Sequence, residues 1–125
     1  MRRNQSLYAR AVERVTGIGR IFLRSAEPEK LRAWYSENLG IDLDEWGGAV
    51  VDGVTWSIFA GDTTYFERES MVNYKVRDLD AMLAQLRAAG ARVDERVKEM
   101  EFGRFGWAYD ADGNRIEIWE PSDAA

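Results

Sequence analysis

Two segments lying 51 positions apart, Arg20-Ile21-Phe22-Leu23-Arg24 and Met71-Val72-Asn73-Tyr74-Lys75, alternate with strand period and lead into helix-like stretches that close on Gly40 and Gly90. Each half then continues with strand-like text, so the chain reads as strand, helix and three strands, twice over. Neither half is large enough to bury a core alone. The two must pack against each other, either within one chain or by exchange between two copies, and a duplicated α+β architecture follows.

The reading along the chain is specific. Residues 1–16 place Leu7, Tyr8, Ala11, Val12 and Val15 at spacings of three and four, which predicts a helical N-terminal extension. A strand is predicted at 17–24, with Gly19, Ile21 and Leu23 on one face and Arg20, Phe22 and Arg24 on the other. A helix is predicted at 25–38, entered at Pro28 and striped by Leu31, Trp34 and Tyr35. Residues 41–60 read as three short strands broken by glycines, and 61–70 as a loop. After the strand at 71–76, in which Met71, Asn73 and Lys75 share a face, a helix at 78–90 presents Leu79, Met82, Leu83 and Leu86. Strands at 92–98 and in a closing hairpin complete one domain, 17–121, made of modules 17–66 and 70–121, with a tail at 122–125.

Composition narrows the function classes. With 46% apolar and 31% charged residues, the 125-residue chain is an ordinary globular domain. Its formal charge of −5 argues against a nucleic-acid surface. No run approaches the roughly 18 to 20 apolar residues of a membrane span, and with a polar N-terminus a cytoplasmic location is the expectation. Zero cysteine and zero histidine remove thiolate and imidazole chemistry together. No nucleophile elbow, phosphate-binding loop or dinucleotide fingerprint is present.

The hairpin is the most specific stretch. In GRFGWAYDADGNRIEIWEP, residues 103–121, Phe105, Trp107 and Tyr109 alternate before an Asp112-Gly113-Asn114 turn, and Arg115, Glu117 and Trp119 then alternate against Ile116 and Ile118. Together with RSAEPEKLRAWYSENLG, it resembles the vicinal oxygen chelate superfamily, which includes lactoylglutathione lyase, extradiol dioxygenases and bleomycin-resistance proteins. The resemblance covers the chain from about Thr16 to Pro121. It implies two βαβββ modules forming curved mixed sheets around a cleft, the glyoxalase/bleomycin resistance fold, commonly as a homodimer.

The resemblance also implies where chemistry sits. The family's ligand positions, one early in the first strand and one in the last strand of each module, fall here on Arg20, Ser57, Met71 and Glu117. An arginine, a serine, a methionine and one carboxylate make a poor divalent-metal set, so no metal or other cofactor is expected. Arg20 and Glu117 read either as a fork pair that neutralises charge, or as a pair in which Arg20 orients an anionic or carbonyl group while Glu117 moves a proton. Phe22, Phe59 and Trp119 share the faces of the ligand positions and read as walls of an apolar cleft, with Asn73 beside them. Trp56, of opposite parity to Ser57, reads as a packing residue. Three functions remain open: metal-independent binding of a small molecule, aromatic or cationic; a lyase or isomerase using Glu117 as acid or base; and an accessory or regulatory dimer with a vestigial cleft.

Overall fold

The computed structural model describes residues 12–123. Among these residues one sheet has seven strands: β1 (Val15–Ser25), β2 (Gly48–Val51), β3 (Val54–Ala60), β4 (Ser70–Val76), β5 (Lys98–Met100), β6 (Gly103–Tyr109) and β7 (Arg115–Pro121), in the spatial order β2-β3-β1-β4-β7-β6-β5. The helices α1 (Pro28–Leu39) and α2 (Leu79–Ala88) follow β1 and β4.

The duplication is written into the strand register. β1 runs parallel to β3 with Phe22 beside Ser57, and β4 runs parallel to β7 with Asn73 beside Glu117. At the centre β1 and β4 are antiparallel, pairing Arg20 with Asn73 and Phe22 with Met71. Shifting by the repeat length turns one of these pairs into the other. The halves are therefore related by a local two-fold, and they join edge to edge within this one chain.

Several boundaries differ from those predicted. The proposed N-terminal helix lies mostly outside the described residues, but Val15 and Thr16 already belong to β1. Residues 41–47 form no strand, so the first module has two strands after its helix rather than three. Of residues 92–98, only Val93 makes a bridge, to Ala108, before β5 begins at Lys98. A register shift between Ile18 and Arg20 marks a bulge, which re-aims Gly19. A Cβ there would meet Asn73 Oδ1 at 2.3 Å and the Trp119 ring at 2.8 Å, so Gly19 faces the Asn73 side of the sheet, not the Ile21 side.

Helix chemistry follows the sequence. Asp78 caps α2 by accepting from the Ala81 amide at 3.0 Å, and α1 ends on Gly40 in the left-handed region at φ 69°. The α2 stripe of Leu79, Met82 and Leu83 packs on Val76, Ala108 and Ile118, forming the core of the helix side. α1 seals its half less well. None of its residues is fully buried; Tyr35 packs edge-on against Trp56 at 4.8 Å, and Trp34 stays half exposed.

Candidate functional site

The face of the sheet opposite the helices carries every site residue read from the sequence, because Arg20, Phe22, Ser57, Phe59, Met71, Asn73, Glu117 and Trp119 share one strand parity. Register arranges them in rows. Arg20, Asn73, Glu117 and Trp107 stand side by side on β1, β4, β7 and β6; Ser57, Phe22 and Met71 form the next row on β3, β1 and β4.

Glu117 is the centre of the first row and is fully buried. Its Oε1 accepts from Asn73 Nδ2 at 2.8 Å, and its Oε2 accepts from Trp107 Nε1 at 2.9 Å and from the Tyr65 hydroxyl. No cation pairs with it among the described residues. Burying a carboxylate without a counter-charge is costly, and three aimed donors supply the compensation. The Tyr65 phenol carries the reciprocal effect: burial first, and the Glu117 charge beside it second, raise its pKa far above the ordinary tyrosine value.

Arg20 does not reach Glu117, from which Asn73 separates it in the register. Its guanidinium donates through Nη2 to Ser57 Oγ at 3.3 Å and lies 4.7 Å from the centre of the Phe22 ring, while its buried Nε has no partner. The fork pair considered from the sequence is thus absent. Asn73 Oδ1, also buried, is unpaired as well.

The loop 61–69 changes the character of this face. It folds over the second row and inserts Tyr65 and Phe66 among the expected cleft walls. The Tyr65 ring stacks on Phe59 at 5.8 Å and 1°, and Phe22 meets Phe59, Tyr65 and Phe66 at 5.4 to 6.1 Å. Phe22, Phe66 and Met71 are sealed from water. Arg24 ties the loop down, donating to the carbonyls of Gly61, Thr63, Phe66 and Arg68. Trp119 stands apart from this cluster, stacked on Phe105 at 5.9 Å with its Nε1 donating to the Phe102 carbonyl. A depression of about 440 Å³ beside Trp46 and α1 contains none of the polar groups of this face.

Tyr65, Trp107 and Arg24 are the working residues that the sequence reading left out of the site. Tyr65-Phe66 had a signal, an aromatic pair inside an otherwise polar loop. Arg24 had the parity of Arg20 and Phe22. Trp107 had the parity of Glu117 across the hairpin.

The four family ligand positions do not fit a divalent cation. One holds the Arg20 cation, another a sealed thioether, and the single carboxylate spends both oxygens on neutral donors; among the described residues no three His, Cys, Asp or Glu side chains are grouped so that they could hold a metal ion.

Comparison with known proteins places this geometry. The family model described as "Glyoxalase-like domain" matches residues 20–119. Among solved structures, the methylmalonyl-CoA epimerase of Mycobacterium tuberculosis is similar at a TM-score of 0.70 and 24% identity, covering 94% of this chain and 95% of that one. A glyoxalase/bleomycin resistance protein/dioxygenase superfamily member from Vibrio splendidus 12B01 gives 0.65 and 12%, over 87% and 99%. A Streptomyces coelicolor methylmalonyl-CoA epimerase variant in complex with 2-nitronate-propionyl-CoA gives 0.61 and 16%, over 87% and 99%. No curated protein sequence matches. The strand order, the duplicated register and the family match agree, and the chain belongs to the glyoxalase-like domain family.

Proposed function

We propose that this protein binds a small molecule, without a metal, on the sheet face that loop 61–69 now covers. One observation carries the reading: an aromatic hydroxyl, that of Tyr65, already donates to Glu117 while its ring stacks on Phe59. The Tyr65 side chain thus occupies the space that a planar ligand would fill, and the ligand enters by displacing that side chain while Arg24 and Arg115 keep the loop backbone in place. Its ring then takes the place of Tyr65 against Phe59, and its donor takes the place of the hydroxyl on Glu117. Exposed apolar side chains at Trp34, Trp46 and Val50 support the further reading of a homodimer.

Intrinsic tryptophan emission tests the binding reading, because Trp107 hydrogen-bonds Glu117. Titration with phenols and other planar donors produces a saturable change that is lost in Glu117→Leu. Absence of saturation across such a panel overturns the reading.

An isomerase role is the second reading, supported by Glu117 being the one fully buried carboxylate among the described residues. Epimerases among the fold neighbours suggest the assay, solvent-deuterium incorporation into methylmalonyl-CoA. Incorporation abolished by Glu117→Gln supports that role, and incorporation unchanged by it removes Glu117 as the proton carrier.

A further inference from the structure

Beside Tyr65 the surface opens into a cavity of about 220 Å³ whose charged lining is Arg68, Arg96 and Arg115 against Glu67 and Asp94, three positive charges to two negative. A net single positive charge concentrated there stands out on a chain whose formal charge is −5. Arg115 forms the inner wall. Only 15% of its side chain is exposed; Nη1 donates to the Tyr65 carbonyl, Nη2 lies 3.6 Å from Asp94 Oδ2, and the buried Nε has no partner. Arg96 sits at the rim, its ion pair with Asp94 at 3.5 Å and its side chain 74% exposed. Arg68 is held by Asn114 Oδ1 at 2.8 Å.

We infer that this cavity is a carboxylate subsite, and that the ligand of the neighbouring Glu117 site carries an anionic tail into it. Guanidinium groups present planar paired donors that match a carboxylate, and the Arg115 Nε supplies a desolvated donor with no competing acceptor. The charge balance selects a monoanion over a doubly charged phosphate. The size agrees, since about 220 Å³ falls below the roughly 300 Å³ at which pockets begin to enclose whole drug-sized ligands. Arg115 and Glu117 share the same face of β7 two residues apart, on either side of the space Tyr65 fills, so one ligand spans both. The tail thus rests on the ligand reading above for the rest of the molecule, while the subsite is testable by itself.

The test uses the full chain at fixed ionic strength, titrated with acetate, benzoate and inorganic phosphate while the arginine Nε–H signals are followed by nuclear magnetic resonance. The Arg115 Nε–H signal shifts saturably with acetate and benzoate, and phosphate binds more weakly. The paired variant Arg68→Gln/Arg96→Gln, both at the rim, weakens acetate at least about tenfold, whereas Arg77→Gln, outside the cavity, stays within about twofold. No saturable shift, equal affinity in the paired variant, or tighter binding of phosphate than of acetate overturns the subsite. A wild type that binds acetate alongside a Tyr65→Ala variant that binds no aromatic ligand upholds the subsite and removes the ligand reading instead.

Discussion

Glu117 owes its place to neutral hydrogen bonds, and this makes its two nearest substitutes behave differently. Glu117→Leu leaves Asn73 Nδ2, Trp107 Nε1 and the Tyr65 hydroxyl buried without acceptors and costs about 3 to 5 kcal/mol. Glu117→Gln keeps the oxygen shared by Trp107 and Tyr65, and its new amide is accommodated when the Asn73 side chain flips to present Oδ1, which is unpaired in the native protein. That variant costs only about 1 kcal/mol. Urea unfolding midpoints of the two measure the difference directly. Tyr65 gives an alkaline signature: with its folded pKa above the unfolded value, its contribution is complete below pH about 10 and is lost as the pH climbs toward the folded pKa. Absorbance titration of the native protein therefore contains one late-ionising phenol, which disappears in Tyr65→Phe.

Loop 61–69 is an element without regular structure, four of whose carbonyls are held by Arg24 of β1 and a fifth by Arg115 of β7. Arg24→Met removes the donors for four loop carbonyls, and hydrogen exchange within 61–69 accelerates by an order of magnitude or more while β6 and β7 keep their protection. Helix α2 depends on a local contact instead: Asp78→Ala costs about 1 kcal/mol, read as a lower thermal midpoint. The contrast explains what was legible at this scale. The cap of α2, the glycine end of α1 and the alternation of the closing hairpin are local patterns, and the sequence displays them. The Arg24 contacts join residues 37 to 44 positions apart, and the bulge that turns Gly19 toward Asn73 arises only once β1 has two partners. Neither has a periodic trace.

At the scale of the molecule, the duplication specified nearly everything about the frame, because a two-fold register with Arg20 beside Asn73 and Phe22 beside Met71 follows once β1 and β4 pair. Side-chain parity likewise put the candidate residues on one face. What parity could not supply was the occupant of that face: the expected open aromatic cleft is filled by Tyr65 and Phe66, and the expected Arg20–Glu117 pair is divided by Asn73. On the proposed reading the protein is a closed form whose own Tyr65 ring sits where the ligand would bind. Calorimetric titration of wild type and Tyr65→Ala with an aromatic carboxylate bearing a ring hydroxyl, such as 4-hydroxybenzoate, tests this most directly. Removing the competing ring tightens binding by about tenfold or more, and Glu117→Leu in the same background abolishes it. Equal affinity in wild type and Tyr65→Ala, or binding that survives Glu117→Leu, would contradict it.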